Sequence, residues 1–131
     1  MSNITSTSHQ PRVLFMGMSG NFSHPSLLAL LESGIDVCAV VLPARVNDTS
    51  QPAIRRLEPP AKPRAMLPVL SSSLHIGIAR IAWERAVPLW EAQRMSDPET
   101  SAVYASYAPD AFCVACFSLY IPRSILAIPP L

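Results

Sequence analysis

Charge is scarce in this sequence. Only 15% of its 131 residues are Asp, Glu, Lys or Arg, and the formal balance is +1. A net charge so close to zero gives no global field for nucleic acid or an anionic membrane surface. Long apolar runs are missing as well: none approaches the roughly 18–20 residues that a membrane span requires. Met1 to Gln10 is polar and lacks the charged-then-apolar layout of a signal peptide, so residues 1–11 read as a disordered leader. Cysteine is limited to Cys38, Cys113 and Cys116, two of them within an apolar run. That excludes a disulfide framework and predicts reduced thiols in a cytoplasmic protein.

Apolar side chains and proline fill the space left by charge. Half the residues are hydrophobic, enough to rule out disorder as a description of the whole chain, and the length suits one compact domain. Fourteen residues are proline, more than twice the average frequency. Pro43, Pro52, Pro59, Pro60, Pro63 and Pro68 fall in one stretch, so residues 43–73 read as a mostly irregular connector between two structured parts.

Arg12-Val-Leu-Phe-Met-Gly17 is a short apolar run closed by glycine, which predicts a buried strand. After the turn residues Ser19, Gly20 and Asn21, leucines 27, 28, 30 and 31 recur at helical spacing. Ser23 or His24 stands at the expected N-cap, with Pro25 in the first turn and Gly34 as the stop. Asp36 to Leu42 is a second β-rich run. Strand, helix and strand in this order form a right-handed βαβ unit and so a parallel sheet. Beyond the connector, Leu74 to Arg85 reads as a helix. Val87-Pro88-Leu89 reads as a short strand that Pro88 confines to an edge or an end. Asp97-Pro98-Glu99 opens another helix that Pro109 closes. Ala111 to Phe117 is apolar without alternation, the pattern of a strand covered on both faces. A short helix over 122–128 follows. An apolar strand so near the end of the sequence, with its edge unpaired, is an aggregation hazard, and predicts a chain cut from a larger sheet.

Several motifs have plain alternatives. Gly17-Met-Ser-Gly20 invites phosphate binding at a helix start, but it lacks the GxGxxG spacing and any Gly-Lys-Ser/Thr, so a tight βα turn suffices. A nucleotide-binding regulatory domain would rest on this turn alone. Cys113-Val-Ala-Cys116 has CxxC spacing, yet residues i and i+3 of a strand point to opposite faces and cannot chelate together; no metal site is expected. His9, His24 and His75 are scattered, and none completes a nucleophile–base–acid set. The connector's Arg45, Arg55, Arg56, Lys62 and Arg64 have no interleaved aromatics, so a solvated loop is the simpler reading.

Taken in order, five segments resemble the 10-formyltetrahydrofolate-dependent formyltransferase family. They are Arg12 to Gly17 followed by Phe22-Ser-His-Pro25-Ser-Leu27; Ala86-Val-Pro-Leu89; Tyr107-Ala-Pro-Asp110; Phe117-Ser-Leu-Tyr-Ile-Pro122; and Ile125-Leu-Ala-Ile-Pro-Pro-Leu131. The resemblance implies an α/β fold, a Rossmann-like doubly wound parallel sheet truncated after about four strands, in the order 3-2-1-4. Residues 12–131 would be part of the family's N-terminal domain. It implies 10-formyltetrahydrofolate as formyl donor and an amine as acceptor, either methionyl-tRNA or a small amine such as an aminosugar. The loop Phe117, Ser118, Leu119, Tyr120 and Ile121 would line the pterin pocket. Phe22 would stand at the mouth of the site, and Arg45 would match a substrate-loop arginine, although the Asp-Arg-Pro pattern around it is absent. The family continues past Leu-Pro-Pro-Leu into Gly-x-x-Asn-x-His, and no asparagine here is followed two residues on by histidine. The residues given are therefore expected to lack the catalytic asparagine, histidine and aspartate. The expectation is an inactive chain, or a non-catalytic half-domain that binds folate weakly or needs a partner chain to complete its sheet.

Overall fold

The computed structural model describes residues 11–18, 23–44, 50–59 and 73–129, the last segment from residue 77 for side chains. The leader expected over 1–11 lies outside these residues except for Pro11. Five strands form one sheet: β1 (Arg12–Gly17), β2 (Asp36–Pro43), β3 (Ile54–Arg56), β4 (Leu89–Ala92) and β5 (Ala111–Ala115). Helices α1 (His24–Glu32), α2 (Ser73–Glu84), α3 (Pro98–Ser106) and α4 (Arg123–Leu126) connect and flank them. The strand order is β3-β4-β2-β1-β5. β1 runs parallel to β2 and β5, β2 runs parallel to β4, and β3 is antiparallel to β4.

The four strands expected from sequence lie in the expected order, 3-2-1-4, with β3 added outside them. Two positions change. The third strand is Leu89–Ala92 rather than Val87–Leu89, because Ala86 takes φ +57 and the Val87 amide donates to the Ala82 carbonyl to finish α2. Pro88 therefore lies just before the strand, its carbonyl accepting from the Val40 amide at 2.9 Å. Of the two places the sequence allowed Pro88, the strand end is the one observed; the strand is not at the sheet edge, because β3, within the supposed connector, pairs along its far side.

Two cores lie on the two faces of the sheet, as doubly wound topology requires. Phe15, Val37, Val40, Leu42 and Leu89 pack with Leu27 of α1 and Ile78, Ile81 and Ala82 of α2. Leu14, Met16, Cys38, Ala39 and Val41 pack with Tyr104 of α3 and Ile125 of α4. Alternation slips once. The register runs Val13↔Val37 and then Leu14↔Ala39, so Cys38 is the extra residue of a bulge and shares a face with Ala39. Its thiol donates to the Val13 carbonyl at 3.5 Å. Burial raises the Cys38 pKa above the ordinary thiol range.

Local signals end the helices as the sequence predicts. Gly34 takes φ +82, and the Gly34 and Ile35 amides donate to the Leu31 and Leu30 carbonyls, a glycine stop of the Schellman kind. Asp97 caps α3, its Oδ1 accepting from the Glu99 amide at 2.9 Å, with Pro98 at the first turn.

Candidate functional site at the carboxyl edge of the sheet

Chain order fixes where a crevice opens. From β1 the chain moves outward on one side through β2 and β4, then α3 carries it back to β5 on the other side of β1. The order of the strands reverses between β1 and β5. In open α/β sheets, ligands bind at such a switch, beyond the carboxyl ends of the strands. Here those ends are Gly17 and Ala115, which are paired in register.

Ser23 ties these two ends together. It is fully buried, and its Oγ accepts from the Met18 amide at 2.8 Å and donates to the Ala115 carbonyl at 2.6 Å. It occupies the N-cap position of α1, as the sequence suggested, yet makes no side-chain cap bond; the hydroxyl is used across the switch instead. Gly17 is required beside it. A Cβ there would lie 2.7 Å from the Phe15 ring and 2.8 Å from Ser23 Oγ, too close for any other residue without a backbone shift. Neither role is visible in sequence, where Ser23 reads as a cap and Gly17 as a turn.

The start of the same two strands is clamped as well. Asp110 Oδ2 accepts from the Arg12 amide at 2.8 Å, and the Asp110 amide donates to the Arg12 carbonyl at 2.8 Å. The Tyr-Ala-Pro-Asp segment thus sets the register of β5 against β1.

Beyond β5, Cys116 takes φ +59 and turns the chain away from the strand direction. Ala111 to Phe117 was expected to be one strand covered on both faces. It is instead a strand ending at Ala115, with Ala111 and Val114 exposed and β1 as its one strand neighbour among the described residues. The loop then alternates. Phe117, Leu119 and Ile121 pack against the α3 core, while Ser118 and Tyr120 are exposed, Tyr120 at 82%. Phe22 and Arg45, the two candidate substrate residues, lie outside the described residues.

The turn after β4 brings a residue that sequence reading missed. Arg94, with Met95 and Ser96, faces Leu119, Tyr120 and Pro122 across a recess of about 320 Å³. Its Nη2 donates to the Gln51 carbonyl at 3.2 Å, and its Nε lies 3.8 Å from Asp97 Oδ2. Its Nη1 is buried without a hydrogen-bond partner. A second, smaller hollow of about 190 Å³ lies at the other end of β4, between Arg56, Trp83 and Pro88.

Cys113 is half-buried, and burial raises its pKa, whereas Cys116 is exposed. Among the described residues no cluster of three or more His, Cys, Asp or Glu could hold a metal ion. No described helix is long and apolar enough to cross a membrane.

No family model matches the chain. Individual relatives do. It is 31% identical over 118 residues to the methionyl-tRNA formyltransferase of Geobacter metallireducens, covering 89% of this chain and 31% of that protein. It is 30% identical over 121 residues to the methionyl-tRNA formyltransferase of Dehalococcoides mccartyi, covering 90% and 31%. It is 33% identical over 118 residues to that of Bartonella tribocorum, covering 90% and 32%. The chain therefore spans about a third of the length of these curated relatives. Over most of its own length, the chain is a formyltransferase-like portion, similar to the N-terminal part of methionyl-tRNA formyltransferases.

Proposed function

We propose that these residues form the donor-binding part of a formyltransferase, holding 10-formyltetrahydrofolate at the carboxyl edge of β1 and β5. The observation that carries this reading is the Ser23 bridge. It joins the β1–α1 turn to the end of β5, so the first segment of the family resemblance is tied at the topological switch to a strand end two residues before the Phe117–Pro122 segment. Phe117, Ser118, Leu119, Tyr120 and Ile121 are the donor-binding residues in this reading, and Phe22 and Arg45 serve the acceptor. The acceptor is an amine, methionyl-tRNA by analogy with the relatives or a small amine such as an aminosugar. A cytoplasmic site of action fits the three free thiols.

Transfer forms a bond between the acceptor nitrogen and the formyl carbon. It breaks the bond from that carbon to N10 of the donor, and the amine proton ends on N10. The reaction needs donors for the tetrahedral oxyanion and a base for the amine proton. These residues contain no asparagine followed two positions on by histidine, so they bind the donor without transferring its formyl group. Titration calorimetry with 10-formylfolate tests both halves. Saturable binding with no formylated amine above buffer background is expected. Absence of binding would remove the donor role, and transfer by these residues alone would remove the division of labour.

A second reading is a non-catalytic half-domain that needs a partner chain to complete its sheet. It is favoured by β5, whose Val114 is 48% exposed and which pairs with β1 alone among the described residues. Sedimentation analysis separates the two: a monomer that unfolds cooperatively needs no partner, whereas concentration-dependent association supports one.

A further inference from the structure

We propose that the open edge of β5 is a self-pairing surface, where a second copy of this chain adds its own β5 antiparallel to the first about a two-fold axis at Cys113. This rests on the partner-chain reading above and names the partner.

The two edges of the sheet are built differently. β3, at one edge, is three residues long and carries Arg55 and Arg56, with Glu58 and Pro59 just beyond it. Short length, charge and proline are the devices that stop one sheet from adding to another. β5, at the other edge, keeps its register with β1 over five residues without a bulge. No charged residue and no proline occurs from Ala111 to Ile121, so a second copy meets no like charge there. The large hydrophobic side chains left exposed among the described residues are Met18, Val114, Tyr120 and Leu126. All of them follow β1 directly or belong to β5 and the chain after it.

Backbone direction shows which groups are open. The Ala115 carbonyl turns toward β1, where Ser23 Oγ donates to it at 2.6 Å. Successive residues of a strand direct their N–H and C=O to alternate sides, so Ala111 and Cys113 also turn toward β1. Phe112 and Val114 turn theirs outward, to an edge with no strand beyond it among the described residues.

The strand suits a copy of itself because Ala-Phe-Cys-Val-Ala reads nearly the same in both directions. Pairing about Cys113 sets Phe112 of each copy opposite Val114 of the other, where their open groups exchange hydrogen bonds. The two Cys113 residues then face each other in the close, non-hydrogen-bonded position, with Cα atoms about 4.5 Å apart. Such an isologous contact closes with two copies and joins two five-stranded sheets into one. Two short strands bury less than roughly 1,200 Å², the range of weak complexes, so the dissociation constant is expected to be micromolar.

Sedimentation of the whole chain over a range of micromolar concentrations tests the pairing, using the parent and Val114→Lys. Mild oxidation of Cys116→Ser with diamide tests its register. Cys38 is buried, so Cys113 is the thiol left to react in that variant, and the paired spacing is one a disulfide can span. The parent forms a dimer, Val114→Lys weakens it roughly tenfold or more without moving the unfolding midpoint, and Cys116→Ser gives a covalent dimer that reductant reverses. Association that Val114→Lys leaves unchanged, with no Cys113 cross-link, overturns the β5 pairing and leaves the partner-chain reading standing. A parent that stays monomeric and unfolds cooperatively overturns both. A parent that stays monomeric but unfolds without cooperativity overturns self-pairing alone, and leaves the edge to a different polypeptide.

Discussion

Strands β2 and β5 are written in nearly the same residues, Val-Cys-Ala-Val-Val-Leu in one and Ala-Phe-Cys-Val-Ala in the other, yet they live in different surroundings. β2 lies between β1 and β4 with helices on both faces, and seven of its eight residues are buried. No residue of β5 is fully buried. Composition therefore identifies a strand that can be buried, and topology decides whether it is. The contrast also separates stability from function. The centre of the sheet holds the two cores together, while its β1–β5 margin carries the proposed site.

Deletions of side chain break this comparison most directly. Leu42→Ala removes a fully buried side chain from β2 and should cost about 2–5 kcal/mol in urea denaturation. Val114→Ala on β5 should stay within about 0.5 kcal/mol. Equal losses would show that the two strands are equally buried in solution. Ser23→Ala comes next. It strands the Met18 amide and the Ala115 carbonyl, at a cost of about 1–3 kcal/mol, with faster amide exchange at Met18 than at residues of β2. Uniform acceleration would mean that Ser23 serves the whole fold rather than the switch.

The third test uses pH. Tyr104 lies fully buried between α3 and the sheet, and burial pushes its pKa above the ordinary phenol range. The folded chain therefore keeps Tyr104 protonated where the unfolded chain ionises it. Its contribution is fully present below the unfolded pKa of about 10 and is lost above it, by at most about 1.4 kcal/mol per pH unit. Cys38, also raised chiefly by burial, adds a loss of the same sign that begins lower, above the unfolded thiol pKa of about 8.5. Tyr104→Phe should flatten the alkaline slope; an unchanged slope would place the titration elsewhere. The smallest effect belongs to the β3 margin. Glu91→Gln loses the 3.0 Å pair with the half-exposed Arg55 and should cost about 0.2–1 kcal/mol, declining with added salt.

What was legible in the sequence was local or set by chain order. The Gly34 stop, the Asp97–Pro98 helix start and the β1–α1–β2 unit each need only neighbouring residues, while the order 3-2-1-4, which came with the family resemblance, is the one observed for those four strands. What was not legible depended on partners distant in sequence. Ile54–Arg56 is too short and too polar to signal a strand, and becomes one by pairing with Glu91 and its neighbours on β4. The β4 register depends on how α2 ends at Ala86. Ser23 reads as a cap because its partner, the Ala115 carbonyl, is 92 positions away. Arg94 carries no motif at all, and its position opposite Tyr120 follows from two loops that meet at one edge of the sheet. The loop Phe117–Ile121 came from resemblance, and its alternation between core and solvent came from the fold.

Hydrogen–deuterium exchange with and without 10-formylfolate would test the central proposal most directly. Protection confined to Met18, Ser23 and residues 115–121, with the hollow by Arg56 and Pro88 unchanged, is the expected result. Unchanged exchange along the β1–β5 edge at saturating ligand, or protection at the opposite edge, would contradict a donor site there.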